Sequence, residues 1–297
     1  MIKQAIHIPV MYREVIEHLN LRPGCTIVDG TVGTGGHAEE LLKKMSTGRL
    51  IGIDKDTDSL SIAQERLKQY EGHFQLMKGD FRDVDHVMSE CGVEKVDGMI
   101  FDLGISSYQL GDSQRGFSFM REGPLDMRMD KASYISAYDL INSLSENELS
   151  GILRTFGQER WSNRIAKYLV RERSASPISS TRQLSDIVSR AVPHHRNASK
   201  IHPATRTFMA FRIAVNRELE ALELALDKSI QMLKKSGRIV VISFHSLEDK
   251  IVKEKFRMFS KEKILRLITK KPLRATQEEI HENARSRSAK MRVAERV

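Results

Sequence analysis

Thr26-Ile27-Val28-Asp29-Gly30-Thr31-Val32-Gly33-Thr34-Gly35-Gly36-His37 runs from a short apolar stretch into a glycine-rich turn. The residues beyond it, Ala38, Leu41, Leu42 and Met45, recur at helical spacing. Strand, turn and helix is the reading, and the pattern repeats outward from there. Leu50-Ile51-Gly52-Ile53-Asp54 predicts a second strand, followed by a helix through Leu60, Ala63 and Leu67. Phe74-Gln75-Leu76-Met77 predicts a third strand and Gly98-Met99-Ile100-Phe101-Asp102 a fourth. Strands alternating with helices imply parallel pairing through crossover connections, so the fold class is α/β with a doubly wound sheet.

The alternation stops after residue 102 and resumes only at Gly237-Arg238-Ile239-Val240-Val241-Ile242-Ser243-Phe244, which predicts a fifth strand. The interval is helical in pattern. Ser145-Glu146-Asn147-Glu148 is a capping box ahead of Leu149, Ile152, Leu153 and Phe156, with Gly157 as the stop. Trp161, Ile165 and Leu169 stripe a next helix. Thr181 is placed to cap a third, through Leu184, Ile187, Val188 and Ala191, with Pro193 beyond its end. One long helix is expected from about 204 to 235. The predicted organisation is a core of residues 1–110 and 213–297 interrupted by an all-helical subdomain at 111–212. Residues 264–268 and 291–294 are candidate last strands, within a segment otherwise read as a basic C-terminal tail.

The 297 residues carry 48 Lys+Arg against 39 Asp+Glu, a net +9, and are 40% hydrophobic. That composition supplies a core and excludes wholesale disorder. The charge is segregated, with residues 1–150 at −8, 151–217 at +10 and 250–297 at +9. An acidic part joined to basic segments suits a polyanionic partner, nucleic acid first. No run approaches the length of a membrane span and the start lacks a signal-peptide apolar region, so the chain reads as cytosolic. Cys25 and Cys91 are too few for a disulfide framework and have no zinc-ligand spacing, so both read as buried apolar residues and no metal is expected.

The first turn lets backbone approach a ligand, and the helix behind it presents N–H groups. Its glycines do not follow G-x-G-x-x-G, and no Walker-type Gly-Lys-Ser/Thr follows. Asp54 ends the second strand, where an open sheet of this kind binds a ribose diol through two hydroxyl donors. Gly79-Asp80-Phe81 ends the third and suits an adenine-facing loop. Asp102 ends the fourth in the ligand crevice, where a carboxylate can act on an amine.

Several blocks together carry a family resemblance. They are His7-Ile8-Pro9-Val10-Met11; Asp29-Gly30-Thr31 through Gly35-Gly36-His37; Asp102-Leu103-Gly104-Ile105-Ser106-Ser107 with Gln109-Leu110; and Arg115-Gly116-Phe117-Ser118-Phe119-Met120 on through Gly123-Pro124-Leu125-Asp126-Met127-Arg128-Met129. Ala204-Thr205-Arg206-Thr207-Phe208 with Ala210-Phe211-Arg212-Ile213, and Ser243-Phe244-His245-Ser246-Leu247-Glu248-Asp249, complete the set. In this order, over essentially the whole chain, they resemble the bacterial ribosomal RNA small-subunit methyltransferase H family, also called MraW. The resemblance implies a Rossmann-like S-adenosylmethionine-dependent methyltransferase sheet with a helical insertion. It also implies methylation of the exocyclic N4 of a cytidine, cytosine 1402, in the decoding centre of 16S rRNA. The partner it implies is 16S rRNA, as free RNA or within the 30S subunit, and the sequence is compatible with a homodimer. The family's cofactor contacts fall on Gly35, Gly36, His37, Asp54, Phe81, Asp102 and Gln109.

The implied chemistry is an in-line displacement in which the cytosine amine attacks the methyl carbon. That amine is a poor nucleophile because its lone pair is conjugated into the ring. Acceptors on its N–H groups turn the lone pair outward and stabilise the charge growing on nitrogen, which makes Asp102, or the backbone carbonyls beside it, the catalytic candidates. Related amine methyltransferases carry an Asn/Asp/Ser-Pro-Pro-aromatic motif where this chain has Asp102-Leu103-Gly104-Ile105, so a stacking aromatic must come from elsewhere or be absent. Tyr108, Phe117 and Phe119 are the candidates, each weighed against core packing. His245 opens into the same crevice, with a helix-start hydrogen bond as the competing role. His194 and His195 share a loop with Arg196 and Lys200 and suit phosphate or solvent better than a metal. Arg154, Arg160, Arg164, Lys167, Arg171 and Arg173, with Arg206, Arg212 and Arg217, suit the phosphates of folded RNA. Two other readings compete: a non-catalytic rRNA-binding assembly factor, which leaves the strand-end carboxylates unexplained, and a nucleotide-dependent dehydrogenase, which predicts the missing glycine fingerprint.

Overall fold

The computed structural model describes residues 8–193 and 202–297. His7 and the 194–196 and 200 cluster singled out above lie outside the described residues. Seven strands form one sheet: β1 Cys25–Asp29, β2 Gly48–Asp54, β3 Phe74–Lys78, β4 Val96–Asp102, β5 Leu233–Ser243, β6 Leu265–Leu267 and β7 Lys290–Arg296, in the order β3-β2-β1-β4-β5-β7-β6. The first five are parallel, and β7 runs antiparallel between β5 and β6. The segment read as a basic tail therefore ends inside the sheet. Lys290 and Arg292 reach Asp249 at 3.2 and 2.7 Å, and Arg238 meets Glu295 at 2.9 Å across the β5–β7 pair.

Side-chain alternation assigns the two faces. Ile27, Leu50, Ile100, Val240 and Ile242 point to one core, and Val28, Ile51, Met99, Phe101, Ile239 and Val241 to the other. Such nearly continuous apolar strands are what a sheet covered on both faces requires. Helices Tyr12–Leu19 and Gly36–Lys44 contribute to the first core, and Val84–Glu90, Glu218–Met232 and Ser246–Lys261 to the second. The strand order turns back between β1 and β4, so the crevice of this sheet lies at their carboxyl ends. Gly30, just past β1, leaves room there for Phe101: a Cβ on Gly30 would sit 2.3 Å from the Phe101 ring.

The chain divides into two compact units, one of residues 1–104 with 219–297 and the other of residues 105–218. The second is helical, built from Ala137–Ser143, Glu146–Thr155, Ser162–Ala175, Thr181–Ala191 and Ala204–Asn216 around Leu149, Leu153, Ile165, Leu169, Leu184, Val188 and Phe211. The Ser145/Glu148 capping box is present as read. The cap at the third helix is Ser180, paired with Gln183. Thr181 instead donates its hydroxyl to the Arg121 carbonyl and accepts from the Gly123 amide, tying the 115–129 block to that helix.

The long helix expected at 204–235 is two helices. Arg217 adopts φ 49°, ψ 40° between Ala204–Asn216 and Glu218–Met232, and strand β5 already starts at Leu233. Two local interactions hold the break. The Arg212 guanidinium spans it to Glu218 at 2.9 and 2.8 Å, and the Asn216 amide is spent on the Met127 and Arg212 carbonyls and the Met129 N–H. Cys25 is buried as read, whereas Cys91 is half-buried. Among the described residues no helix is long and apolar enough to cross a membrane.

Candidate active site

In the first unit, three adjacent strands end in carboxylates: β2 in Asp54, β1 in Asp29 and β4 in Asp102. The loop after β1 is wound against this edge. The Gly33 amide donates to Asp54 Oδ2 at 2.9 Å, the Asp56 amide to Asp54 Oδ1 at 2.9 Å, and the Val32 amide to the Ile53 carbonyl at 3.0 Å. Each Asp54 oxygen thus accepts one backbone N–H and keeps a further lone pair for a ligand hydroxyl. Gly35 turns the chain into helix Gly36–Lys44 at φ 81°, a left-handed conformation that glycine adopts without strain. Its own amide is used by the Val32 carbonyl at 2.8 Å. The N–H groups that the helix start directs outward are therefore those of Gly36, His37 and Ala38, one residue on from the Gly35 amide.

Burial and mutual repulsion dominate the electrostatics. Burial raises the Asp29 carboxyl to about 7, opposed by the Thr31 N–H and assisted by Asp54. Asp54 is raised to about 6 by burial, opposed by the Asp56 and Gly33 amides. Asp102 is held well above the ordinary carboxylate range by burial, then by Asp29 and Glu248, with Arg285 opposing. Asp102 Oδ1 is buried without a hydrogen-bond partner. A site with this much carboxylate and an unpaired acceptor fits a cationic ligand bearing hydroxyl and N–H donors.

The loop after β3 gives Phe81, whose ring sits edge-on to Phe101 at 5.8 Å with the Lys55 ammonium 5.8 Å from its centre. Asp80 pairs with Lys55 at 2.9 Å and Arg82 at 2.8 Å. Burial works against its charge, but these two cations hold its carboxyl below the usual range. The Asp80 carboxylate is thus engaged, which leaves a backbone amide of this loop as the better candidate for an adenine ring edge.

His245 takes the competing role. Its Nδ1 accepts from the Glu248 amide at 3.4 Å while Glu248 Oε2 accepts from the His245 amide at 3.2 Å, closing a capping box on helix Ser246–Lys261. It is a helix-start residue through Nδ1, and its Nε2 lies 3.1 Å from Glu248 Oε1.

Gln109, Tyr108, Phe117 and Phe119 fall in the second unit. Gln109 is buried, and its side-chain oxygen accepts from the Ser106 amide at 3.0 Å in the box that opens Ser107–Gly111. Phe117 is 6% exposed and belongs to the helical core. Phe119 packs against the helical core, stacking on His202 at 4.6 Å and meeting Phe208 edge-on at 5.1 Å. Tyr108, like Phe119, is partly exposed.

Asp29, Glu248 and Arg285 bear on Asp102 and were not singled out from the sequence. Asp29 carried the same strand-end signal as Asp54 and Asp102. Glu248 lay in a quoted block without a role, and Arg285 had no signal beyond membership of a basic segment. Among the described residues no group of His, Cys, Asp and Glu is arranged to hold a metal ion.

The model of the MraW methylase family matches residues 4–297. The chain is 46% identical over 291 residues to the ribosomal RNA small subunit methyltransferase H of Sulfurihydrogenibium sp. (strain YO3AOP1), covering 98% of this chain and 99% of that protein. It is 44% identical over 307 residues to the protein of the same description from Clostridium botulinum (strain Kyoto / Type A2), covering 98% and 99%. Among solved structures, an rRNA methylase from Streptococcus thermophilus aligns over 100% of this chain and 99% of that one, with a TM-score of 0.45 and 11% identity.

Proposed function

Since the chain belongs to the MraW methylase family, we propose that it transfers a methyl group from S-adenosylmethionine to the exocyclic N4 of a cytidine in the decoding centre of 16S rRNA, cytosine 1402 by family resemblance. It is a methyltransferase acting on small-subunit ribosomal RNA. The observation that carries the finer reading is the buried, unpartnered Oδ1 of Asp102 at the switch point of the sheet, an acceptor awaiting an N–H. The bound cofactor supplies an electrophilic methyl and the positive charge of its sulfonium. Asp54 holds the ribose hydroxyls, the Gly36 and His37 amides take the carboxylate of the methionine part, and Phe81 packs on the adenine. Asp102 accepts the target amine's N–H, which directs the nitrogen lone pair and stabilises its developing charge. The test is tritiated-methyl transfer to under-methylated 30S subunits and to naked 16S rRNA, with nucleoside mass spectrometry. Label on cytosine N4 is expected; label on C5 or on a ribose would overturn the chemistry.

The second unit, with adjoining residues, is the proposed RNA-recognition part. Several arginines of that segment are committed to protein: Arg173 caps the Ile141 and Leu144 carbonyls, Arg212 pairs with Glu218, and Arg171 pairs with Glu172 at 2.8 Å. Arg154, Arg160, Arg164 and Lys167 are exposed and, among the described residues, have no carboxylate partner. Changing these four to Gln is expected to reduce the slope of log Kd against log salt by about 3, at roughly 0.7–0.9 per phosphate contact, with cofactor Kd unchanged. An unchanged slope would return them to solvent-facing charge.

A further inference from the structure

We propose that His37 is a positioning residue for Asp102: its Nδ1 receives the proton of Asp102 Oδ2, which leaves Oδ1 to take a proton from the reacting amine. The inference rests on the amine methylation proposed above.

The imidazole is buried at 6% exposure, and its Nε2 lies 2.8 Å from the Val10 carbonyl. A carbonyl only accepts, so Nε2 carries the hydrogen, and the lone pair of the neutral ring is on Nδ1. Nδ1 lies 3.6 Å from Asp102 Oδ2, a separation that a few tenths of an ångström turns into a hydrogen bond, as catalytic contacts do when a ligand closes a site. The carbonyl that sets the tautomer is itself fixed. Met11, the residue after Val10, takes φ 52° at the start of helix Tyr12–Leu19, and its amide donates to Glu279 Oε1 at 2.7 Å. On the other side of the pair, Oδ1 is buried and unpartnered. The two oxygens of Asp102 thus differ, one facing an imidazole acceptor and the other buried without a hydrogen-bond partner.

The charged groups facing Asp102 are Asp29 and Glu248, which favour its neutral form, and Arg285, which opposes them. A neutral Asp102 with its proton on Oδ2 is suited to a two-oxygen relay. As the N–C bond forms, the electron pair of the breaking C–S bond stays on sulfur. One N–H proton passes from nitrogen to Oδ1, its bonding pair remaining on nitrogen, while the Oδ2 proton passes to Nδ1. The products are a neutral methylated amine and one imidazolium, with Asp102 again neutral.

The direct test is the tautomer of His37 in cofactor-free protein, read by long-range proton–nitrogen correlation of 15N-histidine-labelled material. The Nε2–H form is expected, and a neutral Nδ1–H form would overturn the proposal. Two substitutions supply the kinetic arm. His37→Gln keeps an amide near the Nε2 position for Val10 but offers Asp102 nothing at Nδ1. It is expected to lower kcat by about 100-fold, to abolish the low-pH limb of the pH–kcat profile, and to leave RNA KM and cofactor Kd within about threefold. His37→Asn places an acceptor near the Nδ1 position and is expected to retain about tenfold more kcat than His37→Gln. Equal losses in both variants, or a wild-type pH profile in His37→Gln, would assign the ring to packing alone. Absence of methyl transfer by the wild-type protein would instead sink the underlying functional reading, and the tautomer measurement does not depend on turnover.

Discussion

Asp102→Ala is expected to lower kcat by about a thousandfold, the combined scale of a lost proton acceptor and a lost electrostatic contact, with RNA Kd changed less than threefold. The reason lies in how Asp102 is held. Its backbone N–H donates to the Thr31 hydroxyl at 2.6 Å, and its neighbour Leu103 donates to the Ile242 carbonyl at 3.0 Å, so the strand end is anchored by main chain. The side chain contributes little to that anchoring, because Oδ1 has no partner and both Asp29 and Glu248 repel its charge. Removing the carboxylate should therefore leave the melting temperature unchanged or raise it, which separates a catalytic loss from an unfolded variant. Asp102→Asn keeps an acceptor oxygen of the same shape but cannot take up a proton. It is expected to fall between wild type and Asp102→Ala. Single-turnover methyl transfer together with filter binding of a 16S fragment measures both quantities, and a parallel loss of turnover and RNA binding would make Asp102 a structural residue.

The strands were legible because each combines an apolar run with a turn signal, and a sheet covered on both faces leaves few polar residues to confuse the pattern. The strand-end carboxylates were legible for the same reason, since β1, β2 and β4 each finish their apolar run on an aspartate. Other features depended on single residues that sequence cannot arbitrate. Ser180 and Thr181 are both competent caps, and the choice was made by Arg121 and Gly123, about sixty residues away, which use the Thr181 hydroxyl. Arg217 takes left-handed backbone without being glycine, a break that helical periodicity does not announce. The base-stacking candidates are no easier to separate: Phe117 and Phe119 look alike in a string, yet one fills the helical core and the other, partly exposed, contacts His202 and Phe208. Asp29 stands beside a glycine-rich turn that carries the more specific signal, although its burial at 1% exposure makes it the most enclosed of the three strand-end carboxylates.

That enclosure gives Asp29 the second large effect, on stability rather than turnover. Its folded-state carboxyl is raised from 3.8 to about 7, so between those values the folded protein binds a proton that the unfolded chain has released. Stability from this group is then fully present below about pH 4 and falls as pH rises towards 7. At about 1.4 kcal/mol per pH unit, the cost of holding Asp29 ionised reaches about 4 kcal/mol at pH 8. Asp29→Asn removes the titration while its side-chain oxygen can still accept the Thr31 amide, bonded in the wild type at 3.1 Å. The buried NH2 group adds a cost that does not vary with pH. Urea unfolding of the cofactor-free protein should therefore show Asp29→Asn gaining on wild type steadily from pH 4 to pH 7 and holding its advantage above that. Asp54, raised to about 6, makes the same contribution in both proteins and leaves the difference intact, apart from its own repulsion of Asp29. A cationic ligand reverses the sign of the argument, because an ionised Asp29 then faces a positive charge. Wild type should recover stability relative to Asp29→Asn when saturated with S-adenosylmethionine at pH 8, and recover less with the uncharged thioether product. A stability difference that stays flat across pH 4–8 would mean that Asp29 is ionised in the folded protein at no cost, and that the repulsion among the three strand-end carboxylates is not what prepares this site for a cation.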